Sequence, residues 1–163
     1  MTTEPDDVSA GARTGEAPDP ETSAVLDSPT GWVSEHIRRY LETDGEDGHD
    51  FLGFPTLLLT TRGRTSGLWR RTALIYGQDA GRYVLVASNA ASANHPHWYR
   101  NLSAEPVAHV QVRTRKFVAW ARTATHDERD RLWPLMTSIF PRYDEYQAST
   151  DRVIPLVLLY PTT

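Results

Sequence analysis

Cysteine is absent from the 163 residues. Its absence excludes disulfides, thiolate metal sites and a cysteine nucleophile, and a cytoplasmic location is the expectation that goes with it. No apolar run approaches the ~18–20 residues that cross a bilayer. The longest, Pro55 to Leu59 and Ile154 to Tyr160, have the length of strands. The N-terminus has neither the basic start nor the apolar stretch of a secretion signal. No G-x-G-x-x-G follows a strand-like segment, and neither Ser66 nor Ser88 sits in G-x-S-x-G. A dinucleotide-binding fold and a serine hydrolase therefore drop out.

What is present is uneven. Residues 1–50 hold 13 Asp/Glu against 3 Arg, net −10, and residues 51–163 hold 8 Asp/Glu against 14 Lys/Arg, net +6. An acidic front and a basic body point to a body that handles an anion. The acidic pI of about 5.8 argues against nucleic acid. Met1 to Ser28 is rich in Thr, Pro, Asp, Glu, Gly and Ala and has no aromatic residue. Such a segment buries too little apolar surface to offset its ordering entropy and is expected to be a disordered acidic tail. Residues 29–163 are then one domain.

Periodicity predicts a helix over Thr30–Thr43, with Trp32, Val33, His36, Ile37, Tyr40 and Leu41 on one stripe and Ser28 or Thr30 as cap. Asp44–Asp50 is a loop. Strands follow at Thr56–Arg62, Trp69–Tyr76 and Arg82–Ser88, with turns at Gly63–Gly67 and Gly77–Gly81. Asn89–His95 is a small-residue loop. Pro96 suits the first position of a short helix, capped by Asn94 or His95. Pro106–Val112 and Phe117–Thr123 form a hairpin. Thr125 with Glu128 is a capping box opening a helix with Leu132, Trp133, Leu135, Met136 and Ile139 inward. Pro141 ends it, Tyr143–Ser149 is a further helix, and Val153–Tyr160 is the last strand. Six strands with helices inserted between hairpins and connections this short predict an α+β fold, a mainly antiparallel β-barrel with flanking helices, which the resemblance given below narrows to a split β-barrel.

Three constellations could carry chemistry. Arg62-Gly63-Arg64-Thr65-Ser66-Gly67-Leu68-Trp69-Arg70-Arg71 packs four arginines around a turn, a cradle for phosphate or carboxylate or else a solvated basic hairpin. Ser88 to Leu102 runs from a strand through small residues into a helix start carrying Trp98 and Asn101; a planar ligand could approach its backbone, or Trp98 could be core. Tyr143 and Tyr146 share a helix face after Phe140, able to line a pocket mouth or simply to sit at the surface. His95-x-His97 lacks a third ligand at metal-binding spacing, so no metal is expected.

In their order and spacing, four segments resemble the deazaflavin-dependent nitroreductases, a family of actinobacterial split-barrel proteins related to FMN-binding oxidases. They are Gly63-Arg64-Thr65-Ser66-Gly67, Gly81–Ser88, Asn94-His95-Pro96-His97-Trp98-Tyr99-Arg100-Asn101-Leu102, and Tyr143-Asp144-Glu145-Tyr146-Gln147 with Thr150–Pro155. The resemblance covers about Phe54 to Pro161. It implies an oxidoreductase that passes a hydride between coenzyme F420 and an electron-poor quinone, enone or nitroaromatic. It implies that Arg64, Thr65, Ser66 and Arg70 meet the phosphate and acidic tail of the cofactor, and that Thr72 and Ala73 touch it from a strand. Ser88, Asn89, Ala90 and Ala91 would run along the ring and linker. Pro96, His97, Trp98 and Asn101 would close the groove. Ile75, Phe140, Tyr143 and Tyr146 would face the substrate, with Ser88, Tyr146 and Tyr143 donating to a developing oxyanion. Thr65 and Asn89 stand where relatives often carry basic residues, and Ile75 and Phe140 where some carry tyrosine. FMN in the same fold, or a non-redox binding barrel, are the alternatives. The partner is a small molecule. Monomer and homodimer both stay open, as does peripheral contact with a membrane.

Overall fold

Nine residues from Phe54 to Arg62 form the strand around which the sheet is built (β3). Its Leu57 and Leu59 face one side and Leu58 the other, and all three are buried. An uninterrupted apolar run is what a strand covered on both faces requires. The structure, a computed structural model, describes Pro20 and residues 24–162.

Nine strands are seen among the described residues: β1 (Val25–Asp27), β2 (Asp50–Phe51), β3, β4 (Trp69–Ile75), β5 (Gly77–Asp79), β6 (Arg82–Val86), β7 (Val107–Val112), β8 (Arg115–Thr123) and β9 (Leu156–Pro161). The helices are α1 (Gly31–Thr43), α2 (His97–Ala104), α3 (His126–Ile139) and α4 (Arg142–Ala148). The strands hydrogen-bond in the order β1-β4-β3-β7-β8-β9-β6-β5, with β2 also on β3. All pairs are antiparallel except β1 with β4.

The expectation of six strands forming a barrel is corrected in two respects. The count is nine, and the sheet does not close: its path ends at β1 and β5. The three additional strands are two or three residues long, too short to leave a periodic signature. Val25–Asp27 falls within the expected tail, yet it pairs with Trp69–Arg71; residues 1–19 and 21–23 of that expectation lie outside the described residues.

The split has a definite origin. β4 pairs with β3 along its whole length. Past Tyr76 the chain changes partner, and β5 pairs with β6 through a turn at Ala80 and Gly81, both left-handed (φ 51° and 80°). The two ends of the sheet are therefore joined by the chain at Tyr76 and part from there. Were the β5–β6 register to run back beyond Gly77↔Val84, Val86 would face Ile75 and Ser88 would face Ala73. No such pairs form, and Thr72–Ile75 keep a free edge where β1 does not reach.

One core fills the curl of the sheet: Leu57, Leu59, Leu85, Val110, Val157 and Leu159 with Trp98 and Leu102 from α2. Val84, Val86, Leu156 and Leu158 point outward and pack under α3 and α4. Ile37 and Tyr40 of α1 cover Leu58 and Ala73. The expected apolar stripe of α1 is thus narrower than read: Trp32 is 62% exposed, stacked on Phe51. Thr30 caps α1 by position, without a side-chain hydrogen bond. The Thr125–Glu128 capping box is present, and Glu128 also takes both guanidinium nitrogens of Arg122 at 2.8 Å, tying α3 to β8. The arginine pair holds the Glu128 carboxyl down to about 2. No helix among the described residues is long and apolar enough to cross a membrane.

Candidate functional site

The split between β4 and the segment after β6 brings the first two sequence constellations face to face. Gly63 starts the β3–β4 turn; a β-carbon there would lie 2.7 Å from Ser66 Oγ and 3.2 Å from Leu68 O, so a side chain would push Ser66 out of its place in the turn. Ser66 Oγ accepts from Leu68 N at 3.2 Å. The turn is docked on α2 by Arg64. Its Nη1 donates to Asn101 Oδ1 at 2.7 Å, its backbone N–H to the same oxygen at 3.2 Å, and its Nη2 to His97 Nδ1 at 3.3 Å. Asn101, 3% exposed, completes its amide by donating to Thr61 Oγ1 at 3.1 Å.

The four arginines of the turn are not equivalent. Arg71 pairs with Asp27 at 2.7 Å and Arg62 lies 3.9 Å from Glu105. Arg64 and Arg70 have no acidic partner among the described residues, and both are exposed. Thr65 is exposed beside them. These are the cations left to meet an anion.

On the opposite lip, Ser88 is right-handed (φ −76°, ψ −36°) and Asn89, Ala90 and Ala91 are all left-handed, with φ of 48°, 50° and 68°. For non-glycine residues each such conformation costs ~1–2 kcal/mol, so this turn stores strain. Ala91 N and Ser92 N bond back to Ser88 O and Asn89 O at 2.9 Å. The amides of Asn89 and Ala90 find no acceptor among the described residues. An αR–αL step with free amides is a concavity suited to an anion or a carbonyl oxygen.

The other candidates divide. Thr72 lies opposite Leu59, on the concave side of β4. Ala73 packs its side chain against α1, so only its backbone reaches the split. Ile75 is half-buried at the narrow end. Pro96 is buried and is the cap of α2, where Asn94 or His95 was expected. Trp98, 8% exposed, belongs to the barrel core. Phe140 meets Phe54, Tyr143 and Tyr146 with ring centroids 5.0, 4.8 and 6.3 Å apart. Helix α4, which carries both tyrosines, packs against the Asn89–Ala91 turn. Burial of the Tyr143 ring pushes its phenol well above the usual tyrosine range, and its hydroxyl has no hydrogen bond among the described residues.

His95 and His97 each present Nδ1 to a guanidinium, of Arg152 at 2.8 Å and Arg64 at 3.3 Å. Arginine only donates, so both rings carry their proton on Nε2. Desolvation, then Arg152 and Arg100, keeps His95 below the usual histidine range. Sequence reasoning quoted Arg152 within a motif but gave it no role; the only signal was a basic residue just before the last strand. A cavity of about 500 Å³ lies on the convex side, lined by Leu41, Leu58, Arg71, His109, Gln111 and Lys116 among others. It is separated from the groove by the sheet itself.

An open, curled antiparallel sheet with a cationic turn and a strained small-residue turn across its split is a split-barrel fold of the flavin- and deazaflavin-binding kind. The family model for F420H(2)-dependent quinone reductase matches residues 32–161, and the chain belongs to that family. It is similar to the F420H(2)-dependent quinone reductase Rv1261c of Mycobacterium tuberculosis, 36% identical over 128 residues, 76% of this chain and 86% of that protein. A solved structure of an F420-H2 dependent reductase, FDR-A, is 37% identical with a TM-score of 0.60, covering 64% of this chain and 93% of that one. Another, described as a domain-swapped dimer, is 38% identical with a TM-score of 0.63, covering 81% and 99%.

Proposed function

We propose that this chain is an F420H2-dependent reductase acting on quinones, with the split between β4 and the Ser88–Ala91 turn as its cofactor groove. The observation that carries the reading is the arrangement across that split. Among the described residues, two arginines without acidic partners stand on one lip and two amides without acceptors on the other. A flat ring with carbonyl oxygens and a flexible anionic tail matches both. When bound, F420 supplies the hydride. The protein's part is to hold, orient and exclude water.

Arg64 and Arg70, with Thr65 and Ser66, bind the phosphate and acidic tail. Thr72, the backbone of Ala73 and the Ser88–Ala91 turn bind along the ring and linker. Pro96, His97 and Asn101 support the groove from α2, and Trp98 does so from within the core. Ile75, Phe140, Tyr143 and Tyr146 wall the acceptor side. Ser88 and Tyr146, with Tyr143, donate hydrogen bonds to oxygen charge developing on the acceptor. The acceptor class extends to enones and nitroaromatics, because an electron-poor conjugated system is all that such donors select for. Residues 29–163, with β1 added at their front, act as one cytoplasmic domain, without nucleic acid or a metal. Of monomer and homodimer, the likeness to a domain-swapped dimer supports the second.

The test is a fluorescence titration of the purified protein with F420 and with FMN, followed by F420H2 oxidation with a soluble quinone. Saturable F420 binding and quinone-dependent oxidation are expected. Binding of FMN in preference to F420 overturns the cofactor assignment. F420 binding without turnover on quinones, enones or nitroaromatics makes the protein a binding barrel instead.

A further inference from the structure

A half-buried cation whose partners are three carbonyls and a neutral ring nitrogen needs a reason. Arg152 is such a group. It is half-buried, and no acidic side chain pairs with it among the described residues. Its Nε donates to Ser92 O at 2.7 Å, its Nη1 to Ala87 O at 3.2 Å and to His95 Nδ1 at 2.8 Å, and its Nη2 to Ser88 O. Four acceptors from one nine-residue stretch converge on one planar fork.

The stretch so held carries backbone strain. Asn89, Ala90 and Ala91 occupy the left-handed region in succession, at φ of 48°, 50° and 68°. None of them is glycine, so an isolated segment of this sequence would leave that conformation. Among the described residues the turn's own backbone hydrogen bonds are two, Ala91 N to Ser88 O and Ser92 N to Asn89 O, and Asn89 Nδ2 donates onward to Asn94 O at 3.0 Å. Helix α4 and the guanidinium supply the rest of its support.

We propose that Arg152 is the positioning residue of the groove. Its guanidinium takes carbonyls of Ala87, Ser88 and Ser92 and so holds the left-handed run Asn89–Ala91 in a turn whose Asn89 and Ala90 amides stay open to an anionic or carbonyl-bearing ligand. The carbonyls of Ala87, Ser88 and Ser92 are taken up by the guanidinium, while the amides of Asn89 and Ala90 find no acceptor among the described residues and are left for a ligand. The positive charge at the turn adds to the pull of those amides on negative charge. It also fixes the Nδ1 of His95 as acceptor, tying the foot of α2 to the same fork. Lysine cannot replace it, because a single ammonium cannot span four acceptors laid out on a plane. The proposal rests on the assignment of this split as the F420 groove for the identity of the ligand, but not for the state of the turn.

The experiment uses the full chain with Arg152→Ala and Arg152→Lys. Hydrogen exchange is followed on the ligand-free protein, and F420 affinity by fluorescence with and without added ethylguanidinium. Exchange across residues 88–95 is expected to accelerate ~10-fold or more in both variants, with β6 and β9 unchanged. F420 affinity should fall ~10-fold, with kcat at saturating F420H2 held within ~3-fold, and ethylguanidinium should restore affinity to Arg152→Ala alone. Where the alanine variant does not fold, the lysine variant carries the same test of exchange and affinity. Unchanged exchange at 88–95, or equal acceleration in β6 and β9, overturns the proposal. Full affinity in Arg152→Lys does so too. Failure of the wild-type chain to bind F420 instead counts against the groove assignment, and the exchange result then decides this proposal on its own.

Discussion

Arg64 and Asn101, 37 residues apart in sequence, meet twice: guanidinium and backbone amide of one share the side-chain oxygen of the other, at 2.7 and 3.2 Å. This joint fixes the arginine turn on α2. Asn101→Ala leaves the buried Thr61 hydroxyl without its donor and takes two hydrogen bonds from Arg64. The expected loss is ~1–3 kcal/mol of folding stability, read by urea unfolding, together with weaker F420 binding. Unaltered stability and affinity would remove the joint from the account.

Ser88→Ala combined with Tyr146→Phe should lower kcat with a quinone by ~10²-fold while leaving the F420 dissociation constant within a few-fold. Steady-state kinetics beside a binding titration separates the two. Turnover at the wild-type rate in the double variant would mean that the donors lie elsewhere.

Tyr143 gives a pH test of the same wall. Burial raises its phenol above the ordinary tyrosine value, so it remains a protonated donor as pH climbs through ~10, where an ordinary tyrosine ionises. Ultraviolet titration of the wild type against Tyr143→Phe should show no difference in phenolate absorbance up to that pH. A difference signal near the ordinary value shows the ring to be more open than its burial indicates.

Acid should loosen the fold through histidines. His36, His49 and His95 all sit below the usual histidine range, each first through desolvation. Below ~6.5 the unfolded chain takes up protons that the folded chain declines, so stability is full above that pH and falls as pH drops. His36 has an Nε2 that is buried and unbonded, which makes it the group to remove. The melting temperature is expected to fall from pH 7 to 5, and His36→Leu to flatten that fall. Parallel curves for the two proteins would put the acid sensitivity at the other histidines.

Gly45 is where α1 meets the β7–β8 hairpin. Its φ is +82°, and a β-carbon would come 2.7 Å from the Cα of Arg113. Neither obstacle yields by rotating a side chain. Gly45→Ala should cost more than ~2 kcal/mol in unfolding free energy, since strain and clash add. A near-neutral result would show that α1 shifts freely on the sheet.

Long elements were legible in the sequence because their periodicity is strong: the three apolar leucines of β3, the alternation of Tyr83, Leu85 and Ala87 with Val84 and Val86, and the Thr125–Glu128 box. The short strands were not, because two or three residues carry no period. The change of partner at Tyr76 is a tertiary event that nothing local encodes. The arginine turn was visible as a cluster, yet which of its arginines meet an acid among the described residues, Arg62 and Arg71 but not Arg64 and Arg70, depends on Glu105 and Asp27, which lie 43 and 44 residues away from their partners. Trp98 looked able to serve either core or groove; the helix turns it into the core. Arg152 was hidden because a guanidinium that serves backbone carbonyls leaves no pattern of opposite charges to find.

The parting of β4 from β5 at Tyr76 makes the split a wedge with a covalent apex. In the groove proposed above, a flat ring would lie toward the apex beside Ile75 and its charged tail toward Arg64 and Arg70, so a molecule with a bulky head would stop short of the apex however well its tail suited the arginines.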